Sequence, residues 1–131
     1  MNTPIDAILR LILLLGLVGG GVHTLPAHAA GDAAKGADVF AEECAECHSP
    51  KEGKNKKGPS AFGVVGRKAG TVADFNYSDG LKASGITWSP DKIDAYVTAP
   101  KKVVPGGRMK YEGLEDAKAR ADLIAYLATL R

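Results

Sequence analysis

The stretch Cys44-Ala45-Glu46-Cys47-His48 decides how the rest of this chain is read. Two cysteines three apart, with a histidine directly after the second, form the attachment pattern for a c-type haem. The spacing has a chemical reason. Each thiol adds across one vinyl group on the same edge of the macrocycle, and the imidazole that follows then lies under the ring, within reach of iron. On this reading Cys44 and Cys47 tether the haem through thioethers and His48 is its proximal axial ligand. Three other chemistries fit the five residues taken alone: a disulfide, a thioredoxin-like dithiol, or a zinc site that includes His48. The dithiol reading needs a strand-helix-strand setting that this sequence lacks, and zinc takes four ligands where the cluster supplies three. The choice rests on the rest of the chain.

Upstream, Asp32 to about Cys44 reads as a helix that delivers Cys44 at its last turn. Asp32 caps its start, and Gly36, Phe40 and Ala41 recur at helical spacing as an apolar stripe. The first 29 residues differ in composition. Arg10 leads into the apolar Leu11–Val18, then glycines, then Leu25-Pro26-Ala27-His28-Ala29. This is the layout of a secretory signal peptide cleaved after Ala29, although Asp6 is out of place in a segment that is ordinarily net positive. The alternative is an uncleaved membrane anchor, but the uncharged run from Leu11 to Val22 falls short of the about 20 residues of a spanning helix. The expected organisation is a signal peptide over 1–29 and one domain over 30–131, exported to the periplasm with no stable membrane insertion.

Downstream, 49–57 is a solvated Lys/Gly/Pro/Asn loop, and 58–76 reads as irregular loop and turns with little or no strand. Asp79 to Ser84 fits one short helix. Ser89-Pro90 opens another, with Ile93, Tyr96 and Val97 on one face, until Pro100 stops it. A loop follows from Lys101 to Met109. Glu115 or Asp116 then opens a final helix to about Leu130, with Ala117, Ala121, Ile124 and Ala128 on one stripe and Leu123, Tyr126, Leu127 and Leu130 extending it. The pattern is all-α, with four to five helices and long loops.

Over 131 residues, 45% hydrophobic and 24% charged, the composition is that of one compact domain. Losing Arg10 and Asp6 leaves the formal charge at +2, too small to argue for nucleic acid. A mature domain of about 100 residues has little core for its surface, and burying a large apolar disc would add to what its side chains bury.

A second axial ligand must come from outside the motif, and a thioether sulfur is a common choice. Met1, His23 and His28 leave with the signal peptide, so Met109 is the available group. A lone Met is often core filler. Met109, however, sits between Arg108 and Lys110 in a Pro-Gly loop and belongs to no apolar stripe.

From Gly36 to Tyr126 the chain resembles the mitochondrial type of cytochrome c and its bacterial periplasmic relatives. The resemblance rests on the haem motif, Gly58-Pro59, Gly85-Ile86-Thr87-Trp88, Pro100-Lys101-Lys102 and the placement of Met109. It implies the cytochrome c fold: helices and long loops wrapped around one covalent haem, with the terminal helices crossing where Gly36 and Phe40 meet Leu123 and Tyr126. It implies that the turn at Gly58-Pro59 offers a carbonyl to the proximal imidazole. It also implies that Arg67, Tyr77 and Trp88 hydrogen-bond the haem propionates and that Tyr96 faces the Met sulfur. Two positions depart from the pattern: Gly107 where a Thr is usual and Leu81 where an Asn is usual. A looser Met109 loop and a drier pocket are the expected results.

A haem with both axial positions filled leaves electron exchange through its exposed edge as the available chemistry, so the expected function is single-electron carriage and not catalysis. By the resemblance, the exposed edge is the thioether edge. Lys51, Lys54, Lys56, Lys57, Lys101, Lys102, Arg108 and Lys110 are expected around it, while Asp32, Asp38, Glu42, Glu43, Glu115, Asp116 and Asp122 belong to the terminal helices. Such a dipole would steer a monomeric carrier toward acidic redox surfaces: a quinol-oxidising cytochrome complex, a terminal oxidase, a reaction centre or a dehydrogenase. Two alternatives are a dedicated acceptor for one periplasmic dehydrogenase and a peroxidase-like or gas-binding protein in which Met109 dissociates.

Overall fold

Asp32 opens the first helix as its composition predicts. Its carboxylate accepts from the N–H of Ala34 at 2.9 Å and of Lys35 at 3.3 Å, and α1 runs Ala33–Glu43. The computed structural model describes residues 30–131, so the expected signal peptide and its cleavage site lie outside the described residues. Side-chain caps also fix three later helices. Ser78 caps α2 (Asp79–Ala83), Ser89 caps α3 (Pro90–Thr98), and Asp116 caps α5 (Ala117–Leu127) through the N–H groups of Lys118 and Ala119.

Between α3 and α5 the structure corrects the sequence reading. Pro100 does not simply stop a helix and hand over to a loop. It is the first residue of α4, Pro100–Val103, because Ala99 at φ −155° ends α3 and proline's fixed φ suits a new first turn. The final helix also ends earlier than expected, at Leu127 instead of Leu130. Its termini are set by the Asp116 cap and by a turn in which Thr129 and Leu130 donate to the carbonyls of Tyr126 and Leu127. Among the described residues there is no strand. Chain pairing is limited to the isolated antiparallel bridge Lys68↔Thr87.

The terminal helices cross at Gly36. A Cβ built there would lie 1.9 Å from the Asp122 carbonyl oxygen and 2.8 Å from Tyr126 Cβ, so the two backbones touch where one side chain is missing. Phe40 and Tyr126 stack beside the crossing with centroids 5.4 Å apart and planes tilted by 55°. Phe40, Leu123 and Leu127 join Ile93, Trp88, Ala61 and Ala69 in one core. Arg120 anchors α5 to α3 through Asp94 at 2.8 Å and donates to the carbonyls of Leu114 and Glu115.

Two of the expected stripes are narrower than read: Ala41 and Ala117 are exposed. The α5 face instead buries Asp122, whose side chain is 6% exposed. Its carboxylate accepts from the Asp32 N–H at 2.6 Å, 90 residues away in sequence, and from the Lys118 ammonium. Those two bonds, the Asp32 N–H foremost, hold the Asp122 carboxyl below its ordinary value. A carboxyl depressed in the folded state stabilises above its unfolded value of about 3.9, and this is lost as pH falls through the folded value. Asp122→Asn is therefore expected to be less stable at pH 7 and to lose less of its remaining stability on acidification. Melting curves followed from neutral to acid pH check this, and parallel losses in the two proteins would reject it.

Candidate functional site

The motif follows α1 in a tight turn closed by Cys47 N–H and His48 N–H, both donating to the Cys44 carbonyl at 3.0 and 2.8 Å. The turn leaves both thiols half-buried and unpaired, so the disulfide alternative is not formed. Burial, with the Glu43 carboxylate adding to it, pushes the Cys44 thiol up to about 11. No group of three or more His, Cys, Asp or Glu is placed to hold a metal ion among the described residues.

His48 is oriented by its Nδ1, which lies 2.8 Å from the Pro59 carbonyl oxygen. A carbonyl only accepts, so Nδ1 carries the proton and Nε2 presents its lone pair. Among the described residues Nε2 has no hydrogen-bond partner. Burial holds the imidazole below its ordinary value, with the Pro59 carbonyl opposing. Gly58 makes the approach possible: a Cβ there would stand 2.3 Å from His48 Cε1.

The Gly58-Pro59 turn is itself braced by residues that sequence reasoning did not single out. Ser60 N–H donates to Asn55 Oδ1 at 2.9 Å, and the buried Ser60 hydroxyl donates to the Lys51 carbonyl at 2.6 Å. Gly58 N–H returns to the Cys47 carbonyl at 2.7 Å. Both side chains lie in a segment without period, so no sequence signal marked them.

Arg67, Tyr77, Trp88 and Tyr96 come together as one set. Arg67 donates to the carbonyls of Phe62 at 2.6 Å and Ser60 at 3.0 Å, which uses part of its five N–H donors. Its carbonyl accepts from Trp88 N–H at 2.9 Å, and the Trp88 ring lies 4.9 Å from that of Tyr96. Trp88 and Tyr77 are buried. Tyr77 Oη accepts from Val72 N–H at 3.3 Å and keeps its own proton to donate. Burial lowers the Arg67 pKa and raises those of both tyrosines.

Met109 is half-buried in the segment between α4 and α5. Arg108 donates to the Asn76 carbonyl beside Tyr77, and Tyr111 Oη donates to Glu43 Oε2 at 2.7 Å, next to Cys44. These two anchors hold the residues on either side of Met109, one beside Tyr77 and the other beside Cys44. Gly107 closes a turn through its N–H on the Val104 carbonyl at 3.0 Å, and Leu81 packs against the core.

The charge segregation expected from the sequence is not as clean as read. Glu43, assigned to the terminal helices, reaches across to Tyr111. Glu46, inside the motif, pairs with Lys57, and Glu112 pairs with Lys101 at 2.8 Å. Lys56 donates to the Ala45 carbonyl. Lys51, Lys54, Lys102 and Lys110 have no ion-pair partner among the described residues and are exposed. Acidic residues thus pair with part of the basic set, at Glu46 inside the motif itself, which periodicity along single helices could not reveal.

Two free thiols and an oriented imidazole lone pair, side by side at the end of a helix, define a class: a small helical carrier of one covalently attached c-type haem. The chain belongs to the cytochrome c family, whose family model matches residues 33–131. It is similar to the cytochrome c2 of Rhodopila globiformis, at 46% identity over 101 residues covering 77% of this chain and 95% of that protein. Similarity to the cytochrome c of Gibberella zeae is 48% over 100 residues, covering 76% and 94%. Among solved structures it resembles cytochrome cH from Methylobacterium extorquens, at 45% identity and a TM-score of 0.71, covering 76% of this chain and 99% of that one. The protein is an electron carrier with one covalent c-type haem, in the helical cytochrome c fold. No helix among the described residues is long and apolar enough to cross a membrane.

Proposed function

We propose that this cytochrome carries single electrons in the periplasm through a haem tethered by Cys44 and Cys47 and ligated by His48 and Met109, with residues 1–29 as its cleaved signal peptide. When bound, the haem supplies one reversible ferric/ferrous couple. The observation that carries the reading is the hydrogen bond between His48 Nδ1 and the Pro59 carbonyl, because it fixes the tautomer that leaves Nε2 as a ligand and makes that nitrogen more electron-rich. Met109 would supply the second protein ligand to the iron, and with His48 it would leave electron exchange as the chemistry open to the group. Arg67, Tyr77 and Trp88 would give donors to the propionates, whose burial would otherwise be unfavourable, and Tyr96 would face the Met109 sulfur.

A far-red sulfur-to-iron absorption band in the ferric protein at neutral pH tests the ligation. Met109→Ala is expected to abolish the band while the mass of the covalent haem stays. A wild-type protein without the band would sink the assignment. The partner surface is acidic and is met by Lys51, Lys54, Lys102 and Lys110. Its reaction with an acidic redox protein should slow as salt rises, and a salt-independent rate rejects this docking mode.

A further inference from the structure

From Arg108 to Gly113 no backbone N–H or C=O is hydrogen-bonded to another backbone group among the described residues. The segment that carries Met109 is flanked by backbone bonds at Gly107, to Val104, and at Leu114, to Val97, and between them it is held by side chains. Three such bonds occur. Arg108 reaches the Asn76 carbonyl, and Lys101 pairs with Glu112 across a surface where the two side chains are 65% and 90% exposed. An ion pair that open to water restrains little. The third is the bond from Tyr111 to Glu43, at 2.7 Å and 68 residues apart in sequence. It differs from the others in where it lands: Glu43 is the last residue of α1, directly before Cys44. Its acceptor, the Glu43 carboxylate, is exposed, but its donor is a half-buried phenol on a rigid ring, which has fewer rotamers to lose than a lysine chain.

We propose that the Tyr111–Glu43 hydrogen bond is a clasp that holds the Met109 segment against the helix bearing Cys44, so that Tyr111 and Glu43 are positioning residues that resist replacement of Met109 by an outside ligand. This rests on the reading of Met109 as the sixth ligand. Displacing Met109 requires its segment to swing away from the motif, and with no backbone ladder to break, the clasp is the main restraint on that side. The same bond ties the loop to α1 across the surface beside the motif, so opening it also rearranges the face that a partner meets.

The test uses the ferric holoprotein and imidazole as the outside ligand, with binding followed by loss of the far-red band. Tyr111→Phe, which keeps the ring, is expected to bind imidazole about fivefold more tightly, the effect of losing one hydrogen bond of ordinary net strength. Glu43→Ala should match it, and the double variant should go no further, since both remove the same bond. Glu43→Gln, which keeps an acceptor, should recover part of the difference. Additive effects, or an unchanged affinity in Tyr111→Phe where the wild type shows the band, overturn the clasp alone. A wild type lacking the band overturns the Met109 ligation and the clasp with it.

Discussion

Gly36→Ala is expected to lower the stability of the holoprotein by roughly 3 kcal/mol or more, at or above the upper end of what overpacking usually costs. The added Cβ would sit 1.9 Å from the Asp122 carbonyl oxygen and 2.6 Å from its carbon. Both are backbone atoms in the middle of α5, so no rotamer change relieves the contact. The helices must part, and parting loosens Phe40 against Tyr126 and Leu123, which is 1% exposed and the best-buried side chain of the core. Alanine's better helix propensity returns only about 1 kcal/mol. For a domain of this size 1 kcal/mol moves the melting midpoint by about 4–8 °C, so a drop of more than about 10 °C is expected. Thermal unfolding followed by far-UV circular dichroism measures it. A midpoint within a few degrees of wild type would mean that α1 and α5 are not locked at this point.

How much of this fold was legible depended on how local its causes are. Ser89 and Asp32 each cap a helix through an N–H two or three residues away, and both caps were visible in the sequence, while the short helix after Ser78 was read without its cap. The α4 turn was not visible, because a proline that ends one helix and a proline that begins the next look identical until Ala99 is seen to leave the helical region. Asp122 was read as one of the acids of the terminal helices. Its principal partner is the Asp32 N–H, and no period along α5 can announce a bond to the other end of the chain.

The candidate site divides in the same way. The five-residue motif stood in the sequence because its residues are neighbours along the chain, although the choice among the chemistries that fit it rested on the rest of the chain. The role of Gly58-Pro59 came through resemblance to a family, and the geometry now supplies its reason in the carbonyl at 2.8 Å from Nδ1. Asn55 and Ser60, which brace that turn, and Glu43 and Tyr111, which join α1 to the Met109 segment, act through side chains between segments with no shared pattern. The pairing of acids with part of the basic set has the same origin: each acid is unremarkable in its own segment and meets its partner only in the fold.

Gly58→Ala should produce the largest loss at the site itself. The glycine is buried, and its φ is not in the left-handed region, so what forbids a side chain is space alone. A Cβ would come within 2.3 Å of Cε1, 2.7 Å of Nδ1 and 2.8 Å of Nε2 of His48, which means it would press into the face of the imidazole. Either the ring tilts and Nδ1 loses the Pro59 carbonyl, or the turn backs away and takes that carbonyl with it, along with the Gly58 N–H bond to Cys47. Both routes remove the group that fixes the tautomer and aims Nε2. Losing the partner of a ligating histidine typically reduces metal affinity by about 10–100-fold. Because the thioethers would keep a loosely ligated haem attached, the loss is expected in two readouts: a smaller fraction of chains bearing the haem mass at equal expression, and easier displacement of the proximal ligand in those that do. Pro59→Ala keeps the carbonyl and adds no atom near the ring, so it should retain most of the wild-type yield, which separates crowding of the imidazole from stiffness of the turn. Wild-type haem content and ligand exchange in Gly58→Ala would show that the turn gives way without disturbing His48.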